Sequence, residues 1–132
     1  MIRKLSAHYV FPISSPPVKF GILVIDSDKR SIELIERNDD FKEIASLEFY
    51  NGILIPGFQN QSHKTSLQLF DEIKAQFFKK ESLTLNDAFS PDVMGLFDFE
   101  MFAGVNLISG VDYTRMRLTT ESQMKILIPS GI

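Results

Sequence analysis

Two kinds of hydrophobic period occupy separate stretches of this chain, and their order restricts the folds open to it. Apolar and β-branched residues dominate 7–13, 21–26 and 31–36, divided by the turn-rich Ser14-Ser15-Pro16-Pro17 and Asp26-Ser27-Asp28-Lys29-Arg30. The second turn joins two strands into an expected hairpin. A further run, residues 47–55, is split by Asn51-Gly52 and stops at Pro56-Gly57. It reads either as two short strands about a tight turn or as one kinked strand.

The period then changes to that of a helix. Leu67, Phe70, Ile73 and Phe77 recur at helical spacing, Thr65 with Gln68 offers a capping box, and Asp71 and Glu72 precede Lys79 and Lys80, the order a helix dipole favours. A shorter helical stretch follows Leu83, where Ser90-Pro91 reads as a new cap and first-turn proline. Strand character returns at 104–109 and 124–128 and ends at Pro129-Ser130-Gly131. A β–α–β order of this kind predicts one domain over 1–132 of mainly-β or α+β class. N-terminal strands (1–58) and C-terminal strands (104–128) would combine in one β-sandwich-like system, with inserted helices (65–97) packed on it through Leu67, Phe70, Ile73 and Phe77.

Composition narrows the function classes. The 132 residues, 44% of them hydrophobic, suffice for one core, and twelve Phe supply large apolar side chains for it. A formal net charge of -3 gives no footprint for phosphate backbones, so nucleic acid is not an expected partner. No run approaches the roughly 20 apolar residues of a membrane span. The basic pair Arg3-Lys4 lacks an apolar segment behind it, and cysteine is absent. We therefore expect a cytoplasmic protein without membrane contact.

Candidate reactive groups are few, and each has a plainer reading. His8 lies in a strand between Ala7 and Tyr9, where a half-exposed or hydrogen-bonded structural histidine is the usual case. His63 between Ser62 and Lys64 has no carboxylate at recognisable spacing. The acids Asp98 and Glu100 stand among Phe97, Phe99 and Phe102, a pattern of packing rather than of paired acid–base carboxylates. Glycines show no phosphate-cradling spacing, and the charged residues 36–40 read as a solvated loop.

One stretch carries a resemblance. Residues 50–60, Tyr-Asn-Gly-Ile-Leu-Ile-Pro-Gly-Phe-Gln-Asn, resemble the segment that leads from the N-terminal β-domain into the first barrel strand of the amidohydrolase superfamily, nearest its cytosine and guanine deaminase-like branch. Residues 104–108, Gly-Val-Asn-Leu-Ile, resemble the strand that returns to that domain. In the family a His-X-His pair follows and binds the catalytic metal; here the corresponding positions hold Ser62, His63 and Lys64. A lysine ammonium at a ligand position repels a divalent cation. A (β/α)8 barrel needs about 200 residues, whereas only some forty separate His63 from Gly104. The resemblance thus implies the outer composite β-domain with its barrel deleted, with no catalytic residues, no metal ligands and no cofactor.

Three function classes follow. The first is a non-catalytic structural or protein-interaction module, self-associating as a homo-oligomer through apolar surface such as residues 97–102, or holding an unidentified protein partner. The second is a hydrolase of carbon–nitrogen bonds, improvised or completed by a separate barrel-bearing chain. The third is a small-molecule binder with a phenylalanine-lined pocket.

Overall fold

A computed structural model describes residues 2–12, 16–36, 47–56, 66–89 and 104–129. Among these residues seven strands form a single mixed sheet: β1 (Ile2–Val10), β2 (Val18–Lys19), β3 (Ile22–Asp26), β4 (Ser31–Ile35), β5 (Leu47–Pro56), β6 (Val105–Asp112) and β7 (Arg117–Ile128). Among the described residues, two helices, α1 (Ser66–Lys79) and α2 (Leu85–Ala88), stand between β5 and β6. The fold is therefore mainly β with inserted helices, as the order of periods requires. Across the sheet the strands run β4-β3-β1-β5-β6-β7, with β2 extending β3 along the same side of β1.

Strands from both ends of the chain meet at the centre. β1 pairs in parallel with β5, and β5 pairs antiparallel with β6, with Pro56 opposite Val105. The chain leaves the sheet and re-enters it at neighbouring positions. Residues 47–55 form one strand and not a hairpin, because Gly52 lets β6 come close: a Cβ there would lie 2.3 Å from the Ile108 carbonyl oxygen.

The two antiparallel hairpins share turn chemistry. Asp26 Oδ1 accepts from the Asp28 and Lys29 N–H groups, and Arg30 takes the left-handed conformation (φ 53). In the second, Asp112 Oδ1 accepts from Thr114 and Arg115, and Met116 takes that conformation (φ 51). Each aspartate makes an Asx-type turn in place of the usual glycine signal.

Each sheet face carries its own apolar cluster. On one face Phe11, Ile53, Ile55, Ile108 and Leu118 meet Phe70, Ile73 and Phe77 of α1 and Leu85 of α2. Burying the three α1 side chains is worth on the order of 6 kcal/mol of transfer free energy, an upper figure. Leu67, expected in that contact, is 51% exposed. At 100° per residue it lies roughly 90° around the helix from the centre of Phe70, Ile73 and Phe77. The other face buries Leu5, Ala7, Leu23, Ile25, Leu54 and Val105.

Arg117 ties the end of α1 to the sheet. Its guanidinium lies 5.3 Å from the Phe77 ring centroid and donates to the carbonyl oxygens of Phe77 (2.5 Å), Lys80 (3.0 Å), Glu81 and Leu83 (2.9 Å). Lys74 adds a second tie through Nζ to the Thr120 and Ser122 carbonyls (3.0 and 2.7 Å). In α2 the Thr84 N–H and Oγ both donate to the Asp87 carboxylate (3.3 and 3.0 Å), fixing the first turn.

Arg3 and Glu48 make a bidentate pair across β1 and β5 (3.0 and 2.9 Å), and the Tyr50 hydroxyl donates to the same carboxylate (3.0 Å). The Arg3 hydrogen bonds hold the Glu48 carboxyl below its ordinary range, against the desolvation that opposes them. A depressed carboxylate contributes stability above its unfolded value and loses it as pH falls. Glu48→Gln is therefore expected to cost less than about 1 kcal/mol at pH 7, because the pair is partly exposed. That cost should shrink below pH ~4.3. Urea unfolding of both forms from pH 7 to 3 checks this.

Candidate functional site

The most unusual local structure crosses the sheet at His8. Up to this point β1 alternates regularly, with Leu5 and Ala7 in one cluster; beyond it Val10 joins that same cluster while Tyr9 and Phe11 pack on the opposite face. The cause is a bulge: β1 Ala7 faces Tyr50 and Tyr9 faces Ile53, so His8 is opposed by both Asn51 and Gly52. On the other side Phe20 donates its N–H to the His8 carbonyl (3.1 Å) and has φ 55. A phenylalanine in the left-handed region is strained by about 1 kcal/mol or more, and bulges and strain of this kind re-aim side chains.

The re-aimed side chains form an aromatic cluster centred on His8. Its ring lies 5.9 Å from Phe20, 5.4 Å edge-on to Phe49 and 4.9 Å from Tyr113, while Nε2 sits 3.1 Å from Asn51 Oδ1. Tyr113 comes from the β6–β7 turn and stacks on Tyr9 at 6.1 Å; burial, with Tyr9 nearby, pushes its hydroxyl pKa up. His8 is thus the half-buried, hydrogen-bonded histidine that its strand context implies.

This cluster borders a sheet surface of mixed character. Register places Ile35, Ile22, Ser6 and Phe49 in one row across β4, β3, β1 and β5, and Glu33, Val24, Lys4 and Leu47 in the next. Directly paired residues share a face. Phe49 is 45% exposed, Ile35 41%, and Ile2 at the end of β1 60%, although Ser6 and Ile22 between them are buried. The helices cover the continuation of this face, at Ile53 and Ile55, and stop short of Phe49.

A concavity lies between the helices, a groove of about 310 Å³ with Leu69, Ile73, Leu83 and Ala88 beneath a rim that includes Lys80 and Asp87. Asn106 is a separate oddity: at 1% exposure its side-chain nitrogen has no hydrogen-bond partner among the described residues.

Among the described residues, no group of three or more His, Asp or Glu is placed to hold a metal ion, and no helix is long and apolar enough to cross a membrane. Ser62, His63 and Lys64 lie outside the described residues, as do Asp98, Glu100 and the phenylalanines at 97, 99 and 102. The surface around Phe49, Ile2 and Ile35 was not singled out from sequence. Its signal was the unbroken apolar run Ile22-Leu23-Val24-Ile25, which fits a strand with water on neither face. The chain matches no family model, no curated protein and no solved structure.

Proposed function

We propose that this chain is a non-catalytic remnant of a metal-dependent amidohydrolase, retained as a structural or protein-interaction module. Its working surface is the exposed apolar part of the sheet around Phe49. The observation that carries the reading is that Ile2, Ile35 and Phe49, three large apolar side chains on three strands, stand exposed on one face beside a strained, bulged row. Large exposed apolar side chains gathered on one face mark a contact surface more often than scattered single residues do. The remnant origin rests on the resemblance of residues 50–60 and 104–108. It is supported by the pairing of Pro56 with Val105, which lets an inserted domain be removed without disturbing the sheet.

A photo-crosslinking amino acid in place of Phe49, in cells that produce the chain, tests this. It should form polypeptide adducts that excess wild-type chain competes away and excess Phe49→Asp/Ile35→Asp chain does not. A crosslinker in place of Phe78, exposed on α1, should give no saturable adduct. Absence of saturable adducts from position 49 would overturn the reading.

A further inference from the structure

The geometry points to a second copy of this chain as the occupant of that surface, docked face to face about a two-fold axis that runs along β3. The inference rests on the interaction-module reading and adds the partner and its charge code.

Two charges stand in the apolar patch. Lys4 on β1 and Glu33 on β4 flank Val24 of β3 in one row, since Lys4 pairs with Val24 and Val24 with Glu33. Neither side chain makes an ion pair or a hydrogen bond among the described residues, in contrast to Arg3, which is held by Glu48 on the opposite face. Strands lie about 4.8 Å apart, so each charge is displaced by that distance from β3, on opposite sides of it.

A two-fold axis along β3 exchanges the two sides and leaves height along the strand unchanged. Lys4 of one copy then faces Glu33 of the other, twice, with the partly exposed Val24 against Val24 between them. Aligned sheets pack about 10 Å apart, a gap that a lysine and a glutamate span together. An axis across the strands through the same row sets Lys4 against Lys4 and Glu33 against Glu33, which charge repulsion disfavours. Asp26, at the end of β3, would meet its own copy, but its Oδ1 is drawn into the turn by the Asp28 and Lys29 N–H groups. Four strands and three rows amount to at most roughly 400 Å² per copy, less the share of the buried Ser6 and Ile22, which places the dimer in the weak, transient class.

Sedimentation of the full chain at about 100 µM tests the assignment. Wild type should sediment as a reversible dimer of twice 15.0 kDa. Lys4→Glu and Glu33→Lys should each weaken it at least tenfold. An equimolar mixture of the two single variants, and the double variant Lys4→Glu/Glu33→Lys, should both restore dimers, because each sets opposite charges face to face again. Circular dichroism of each variant establishes that it is folded. A monomeric wild type, or a double variant no better than the singles, overturns the inference. Saturable adducts from position 49 whose mass is not that of two chains would also overturn it and leave the interaction-module reading standing. Loss of all saturable adducts from that position would remove both.

Discussion

Replacing Gly52 with alanine is expected to destabilise the protein by about 3 kcal/mol, read as a fall in the urea midpoint at unchanged slope. The methyl group would arrive 2.3 Å from the Ile108 carbonyl oxygen and 2.9 Å from a Leu107 methyl. The first neighbour is backbone of the end pair of the β5–β6 ladder, Ile53 with Ile108, and cannot rotate away. Relief requires β6 to move off β5, which lengthens the hydrogen bonds that join the two ends of the chain. Gly21→Ala is the control. Its nearest neighbours, at 3.1 Å, are side-chain atoms of Leu34 and Val18 that yield by small adjustments, so its cost should stay below about 1 kcal/mol. Equal losses at the two positions would show that glycine content, and not the close approach at Gly52, is what matters.

Arg117→Ala is the second large effect, about 2 kcal/mol at 25 °C. One guanidinium supplies donors to four carbonyls that follow or close α1, and its positive charge sits at the helix C-terminus, where the dipole favours it. Alanine leaves the part-buried Phe77 and Leu83 carbonyls without that donor and uncovers the Phe77 ring. Arg117→Lys should recover only a minor part of the loss, because an ammonium reproduces the charge but not the fork that reaches several carbonyls at once. Amide hydrogen exchange locates the damage: protection should fall first over residues 77–89. A uniform fall across the sheet would mean that Arg117 stabilises the whole fold and not this junction.

What was legible in the sequence follows from which patterns the structure leaves undisturbed. The β3–β4 hairpin and the helix carrying Phe70, Ile73 and Phe77 keep regular periods, and both form where expected. β1 begins at Ile2, before its expected start, because the polar Arg3, Lys4 and Ser6 alternate with buried Leu5 and Ala7 and hide the strand from a count of apolar residues. Most of β7 was hidden for a related reason. Arg117 to Gln123 are largely polar on a sheet edge, and the chain bulges there, with Ser109 opposite Gln123 but Val111 opposite Leu118. Ser122 closes that bulge by donating to the Gly110 carbonyl at 2.7 Å.

The candidate surface was the least legible part. Phe49, Ile35, Lys4 and Glu33 are far apart in sequence and become neighbours only through the pairing of β1 with both β3 and β5. His8 was readable as structural from its strand context. That its row is also where Phe20 takes a left-handed backbone could not be foreseen, because nothing in the sequence marks a phenylalanine for that conformation.

The central place of β5 also sets a timetable for synthesis. Residues 2–35 can pair β1 with β3 and β3 with β4 as soon as they emerge, and β5 can then add to the free side of β1. Its own outer edge, at Ile53, Leu54 and Ile55, finds its partner only when β6 follows some fifty residues later. At about 5–20 residues per second that interval lasts roughly 3 to 10 seconds. For that time the nascent chain displays an apolar strand with unpaired backbone groups, a template for pairing with any other extended chain. The arrival of β6 is thus the step that ends the exposure of this edge to aggregation, and slower elongation between residues 56 and 105 lengthens the hazard in direct proportion.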